Sequence, residues 1–119
     1  MNVDASFVPL AEIDHVSGLN AGEICVMLKA LGEPQRFRIF TLLMAGECCV
    51  CDIEASVKLS QNLVSHHLRN LRAAGLIEYR KEGRWSYYRI NKPALQAFHV
   101  AFGKWFDPQR IQNSTVRCD

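Results

Sequence analysis

The sequence contains no run of about 18 apolar residues, the length a helix needs to cross a bilayer. Its N-terminal stretch carries acids (Asp4, Glu12, Asp14) where a secretory leader carries cations, so a cytoplasmic protein with no membrane partner is expected. A disulfide framework is also missing. The five cysteines, at 25, 48, 49, 51 and 118, are odd in number, and three of them fall within four positions. In a reducing compartment they would be thiols open to a metal or an oxidant. No nucleophile with a base oriented by a third group is legible, which argues against an enzyme, and nothing calls for an organic cofactor. At 119 residues and 49% hydrophobic content, the chain has one domain's worth of core.

One further absence is local: no carboxylate occurs from Leu59 to Gly75. That stretch has a start signal in Ser60, able to accept from a free backbone N–H, and a stop signal in Gly75, able to take the left-handed conformation. Between them Val64, Leu68 and Leu71 recur at the i, i+4, i+7 spacing of a buried stripe. At about 100° per residue, Asn62, Ser65, His66 and Arg69 fall on the other side. A face of short donors and acceptors with a cation suits base edges and phosphates.

The net charge of +2 hides an asymmetry around this helix. Residues 1–57 hold eight acids against three bases, a net of −5, whereas residues 58–92 hold eight bases against two acids, a net of +6. A basic module in a nearly neutral chain is the footprint of a polyanion binder, and such binding should weaken steeply with salt.

Along the chain, residues 1–19 lack periodicity and read as a loosely attached arm. Asn20 and Glu23 resemble a capping box, opening a helix with Ile24, Met27, Leu28 and Leu31 inward and Cys25 beside that stripe. Pro34 opens a second helix, with Phe37, Phe40 and Leu43 expected to face the core and Gly46 closing it. Glu47–Leu59 is a shorter segment that runs into the outward-facing helix, so the two look like a helix-turn-helix. Two aromatic and β-branched runs, 77–80 and 85–90, flank a turn over Lys81-Glu82-Gly83-Arg84 and read as a basic-tipped hairpin. A last helix near Pro93 carries Leu95, Phe98, Ala101, Phe102, Trp105 and Phe106, an apolar excess that implies burial against a second subunit. The expected fold class is mainly α with a small β-hairpin (α+β), a winged helix-turn-helix over residues 20–108, followed by a polar tail at 109–119.

The chain resembles the ArsR/SmtB family of metal-sensing repressors across roughly residues 24–106. The resemblance rests on Ala30-Leu31-Gly32-Glu33-Pro34-Gln35-Arg36-Phe37-Arg38-Ile39, on Leu59-Ser60-Gln61 with Val64-Ser65-His66-His67-Leu68, on Ala74-Gly75-Leu76-Ile77, and on the Gly83-Arg84 wing turn. It implies a homodimer joined by the first and last helices. It also implies that Gln61, Asn62, Ser65 and His66 enter the major groove of operator DNA while Lys81 and Arg84 on the wing hold the backbone or minor groove. The family often has Pro and Thr where this chain has Asn62 and Leu63, so the operator sequence does not carry over.

Glu47-Cys48-Cys49-Val50-Cys51-Asp52 resembles the Cys-Val-Cys-Asp box by which family members bind trivalent arsenic or antimony, or cadmium and lead. Cys49 and Cys51 match the box. Arsenic sensors of the family commonly have a third cysteine where this chain has Glu54, so Cys48 is the nearest substitute, with Cys25 or Cys118 of either chain next. The family's other metal site, on the last helix, has only His99 to represent it here. Residues i and i+2 point about 200° apart on a regular helix, so Cys49 and Cys51 can grip one atom only if their turn is irregular. The expected function is repression released by arsenic(III) or antimony(III) at Cys48, Cys49 and Cys51. The alternatives are a cadmium, lead or methylarsenite sensor, or a thiol redox or reactive-sulfur switch, on the same cysteines.

Overall fold

The structure, a computed structural model, describes residues 18–112. Most of the expected arm, the end of the tail, His15 and Cys118 lie outside the described residues. Helix α1 (Ala21–Leu31) opens on the reciprocal box expected of Asn20: its side chain accepts from the Glu23 N–H at 2.7 Å while the Glu23 carboxylate accepts from the Asn20 N–H at 3.5 Å. Helix α2 (Pro34–Leu43) starts with proline in its first turn, and the Glu33 carboxylate accepts from the Arg36 N–H at 2.9 Å.

The next segment, read from sequence as one piece, is two. Cys48–Cys49 form a short strand, β1, and Val50–Val57 form helix α3. Lys58 ends α3 in the left-handed conformation (φ 57°), and Ser60 caps helix α4 (Gln61–Ala73) by accepting from the Leu63 N–H at 3.3 Å. Helices α3 and α4 with their short turn are the helix-turn-helix. Strands β2 (Ile77–Glu82) and β3 (Trp85–Ile90) follow, then helix α5 (Lys92–Trp105) and a single 3₁₀ turn at Pro108–Arg110. The hairpin turn is tighter than expected: Lys81 and Glu82 belong to β2, leaving Gly83 at φ 62° with Arg84 as the tip.

The core gathers one apolar stripe from each helix. Ile24, Ile39, Ile53, Val64, Leu68, Leu71 and Leu76 are each at most 1% exposed, and burying one such side chain contributes about 1.5–3 kcal/mol. Ala101 brings α5 into the same cluster. Phe37 departs from expectation at 55% exposure. The buried arc of α2 runs through Ile39, Leu43 and Phe40, and Phe37 lies past its Phe40 edge. There it lines an apolar groove of about 700 Å³ with Met44 at the C-cap of α2 and Leu95, Phe98 and Val100 on α5.

The sheet is antiparallel in the order β1-β3-β2, so the cysteine strand lies against the wing. Cys49 stands opposite Tyr87, and Tyr87 opposite Arg80; in the next row come Cys48, Tyr88 and Tyr79. Because side chains alternate along a strand, the first row shares one face of the sheet and the second row the other. Among the described residues no helix is long and apolar enough to cross a membrane.

Candidate metal centre and nucleic-acid interface

The junction between β1 and α3 supplies the irregular turn that a two-thiol site needs. Cys49 is the N-cap of α3, with extended backbone (φ −77°, ψ 160°), and Cys51 lies inside the first turn. The 200° separation of a regular helix therefore does not apply, and the two sulfurs meet at 2.6 Å. That is longer than the roughly 2.05 Å of a disulfide, and both cysteines are free. Two thiolates about 2.3 Å from one ion at a tetrahedral angle stand about 3.7 Å apart, so the pair has to open by only about 1 Å to share a thiophilic centre. The Cys49 sulfur also accepts from the Asp52 N–H at 3.4 Å, which draws that residue into the group. Ligand atoms of Cys49, Cys51 and Asp52 all lie within 4.8 Å of one another.

Cys48 is placed differently. It points to the opposite face of β1, packs against the core and donates its thiol to the Gly46 carbonyl at 3.5 Å. Burial, Asp52 and Glu47 together push its pKa up. Cys49 is buried, and its pKa is pushed up to about 11, chiefly by the hydrogen bond with Cys51. A sulfur that keeps its proton at neutral pH is a poor nucleophile toward oxidants but surrenders that proton to a metal. Cys25 is exposed on α1, outside this group.

The second surface is the outer side of α4. Val64, His67, Leu68 and Leu71 are buried, which turns Gln61, Asn62, His66 and Arg69 outward, with Ser65 half-buried between them. The Asn70 amide donates to the His66 carbonyl at 3.1 Å and lies 3.2 Å from the ring Nε2. Lys81 and Arg84 are exposed on the wing, a separate element from the α4 row. The last turn of α4 is fastened to the wing: the Arg72 guanidinium lies 3.9 Å from the Tyr79 ring centroid, and Tyr79 stacks on Tyr88 at 5.8 Å.

Residues 33–79, which span α2 to the start of the wing, match the family described as "Bacterial regulatory protein, arsR family". A solved structure described as a possible transcriptional regulator for arsenical resistance superposes with a TM-score of 0.64 at 34% identity, covering 71% of this chain and 88% of that one. The chain belongs to the arsR family. Its members are DNA-binding transcription regulators, not enzymes.

Other arsR-family relatives bracket it. The transcriptional repressor SmtB homolog of Synechocystis sp. is 41% identical over 70 residues, 59% of this chain. That match spans only 53% of the relative's own length. The arsenical resistance operon repressor of Staphylococcus xylosus is 38% identical over 73 residues, covering 61% of this chain and 70% of the relative. A homodimeric winged helix-turn-helix DNA-binding domain from Mycobacterium bovis, a possible ArsR-family regulator, has a TM-score of 0.60 at 26% identity, covering 80% of this chain and 89% of that one. Within this arsR-family fold, His99 is exposed on α5, and among the described residues no cluster of three ligating groups forms there.

Sequence reasoning quoted Asp52 within the Cys-Val-Cys-Asp box without naming it as a donor, and it missed β1 altogether. The signal for Asp52 was its position three after Cys49, where an N-cap side chain meets a backbone N–H. A two-residue strand has no period to read.

Proposed function

We propose that this protein is a cytoplasmic homodimeric repressor that leaves its operator when trivalent arsenic or antimony bonds to Cys49 and Cys51. The observation that carries this reading is the meeting of those two sulfurs at 2.6 Å in the turn that opens the helix-turn-helix. Gln61, Asn62, Ser65, His66 and Arg69 read and hold the major groove, and Lys81 and Arg84 hold the backbone beside it. The homodimer is supported by exposed Phe102 on α5, Phe106 at its C-cap and Val26 on α1, apolar surface suited to a second copy. Arsenic is supported by the soft donor pair, by the resemblance of the cysteine box, and by relatives named for arsenical resistance. Cys48 joins as a third thiolate only by leaving the core-facing side of β1.

One observation favours a second reading. The Asp52 carboxylate lies among the donors, and a site of two sulfurs and one oxygen suits a divalent thiophile such as cadmium or lead. A thiol redox switch on the same cysteines would be silent under strong reductant.

Operator release titrated with arsenite, antimonite and cadmium under strong reductant tests the reading. The variants are Cys→Ser at 25, 48, 49, 51 and 118. Changing Cys49 or Cys51 should abolish the response, and changing Cys25 should not. If Cys49→Ser and Cys51→Ser proteins still leave DNA with arsenite, the site is elsewhere.

A further inference from the structure

The Cys49–Cys51 pair, a two-thiol clamp, opens two routes to the DNA-contacting surface, and they differ in stiffness. One runs through α3, whose Ile53 and Val57 are 0% and 5% exposed. Displacing that helix disturbs close-packed side chains that resist deformation. The other runs through β1, which is two residues long and held by its register with Tyr87 and Tyr88, by Cys48 against the core, and by the neighbouring Glu47 side chain, which reaches the wing.

Glu47 precedes Cys49 by two residues, so in extended chain both project from the same side. Arg80, on β2, is in the same row as Cys49 through Tyr87. The Glu47 carboxylate accepts from Arg80 Nη2 at 2.7 Å and from Nε at 3.3 Å, a two-pronged contact. The guanidinium also lies 4.6 Å from the Tyr87 ring centroid and pairs with Glu82. It is thus gripped on the clamp side and the wing side together. Lys81 is the next residue along β2, and Gly83 and Arg84 form the tip just beyond.

We propose that Glu47 and Arg80 are positioning residues that pass occupancy of the Cys49–Cys51 clamp to the wing, so that ligand binding displaces Lys81 and Arg84 as well as the recognition helix. This rests on the reading of Cys49 and Cys51 as the inducer site. When a thiophile draws the two sulfurs onto itself, the N-cap backbone of Cys49 shifts, β1 shifts with it, and the Glu47 fork pulls Arg80.

The test uses the full-length protein with arsenite as ligand, reading arsenite affinity by calorimetry, operator affinity with and without arsenite, and hydrogen exchange of residues 77–90 without DNA. In the wild type, arsenite should lower operator affinity by about tenfold or more, within the usual range for coupled sites, and alter exchange in the wing. Glu47→Gln, and Arg80→Lys, which keeps the charge but loses the fork, should bind arsenite within about threefold of wild type while arsenite-driven release falls several-fold. The exchange change in the wing should vanish in both. The double variant Glu47→Arg with Arg80→Glu should regain part of the release. Glu78→Gln, which removes a wing ion pair with Arg89 that does not touch β1, should behave as wild type. If Glu47→Gln and Arg80→Lys release operator as fully as wild type, the proposal is overturned while the clamp assignment stands. If arsenite fails to release the wild type, the clamp assignment falls first.

Discussion

Acidifying the solution from about pH 8 to about pH 6 should weaken cadmium binding steeply and leave arsenite binding almost unchanged, because the two reactions dispose of thiol protons differently. A divalent ion sends them to water: M²⁺ + 2 RSH gives M(SR)₂ + 2 H⁺. Arsenous acid carries its own acceptors: As(OH)₃ + 2 RSH gives As(SR)₂OH + 2 H₂O, with no net proton released. The Cys49 thiol, raised to about 11 by its bond to Cys51, is protonated throughout this interval. Its loss to a cation is therefore one whole proton, and that residue alone makes cadmium affinity rise about tenfold per pH unit, or about a hundredfold across the range. The sign follows from the direction: a group that must lose a proton to bind a cation binds better as pH rises. Calorimetric titration of the reduced protein without DNA, with cadmium and with arsenite at three pH values, reads both slopes. A cadmium slope near zero would show that Cys49 is not a ligand; an arsenite slope as steep as cadmium's would refute the condensation chemistry.

Three other outcomes follow from particular contacts. His67 is buried, and desolvation depresses its pKa despite Glu33 at 3.7 Å; stability should be fully present above the unfolded value near 6.5 and fall as pH drops through the lower folded value, and His67→Gln should flatten that fall in urea titrations. Removing the cap of α4 by Ser60→Ala should cost about 1 kcal/mol by the same measurement, without moving the thiol pair. Lys81→Ala and Arg84→Ala should each lower the slope of log affinity against log salt by about one, whereas Asn62→Ala should cost about 1–3 kcal/mol on the cognate operator and relax specificity.

The helices were readable because each carries its own punctuation. Asn20 with Glu23, Pro34, Ser60 and Gly75 mark ends by local hydrogen bonding or backbone freedom, and the stripe of α4 repeats often enough to declare its period. Phe37 misled because an aromatic at helical spacing signals an apolar environment without saying whether it is the core or an open groove. At the cysteine cluster, residue chemistry identified the thiols, but the geometry depended on a non-local fact. Whether Cys49 begins a helix or ends a strand is decided by its pairing with Tyr87, nearly forty positions later. The same pairing decides that Cys48 looks toward the core, and the Glu47–Arg80 contact across 33 positions has no local signature.

Because β1 is only two residues long and its Cys49 sits outside the main apolar cluster, chemical selectivity and operator choice occupy separable parts of the polypeptide. Positions 49, 51 and 52 can exchange one donor set for another without repacking Ile53, Val64 or Leu68. The outer row of α4 can likewise drift toward a new DNA sequence without disturbing the sulfurs. Such modularity would let a lineage retune what it detects and what it controls by independent single substitutions, each leaving a foldable intermediate.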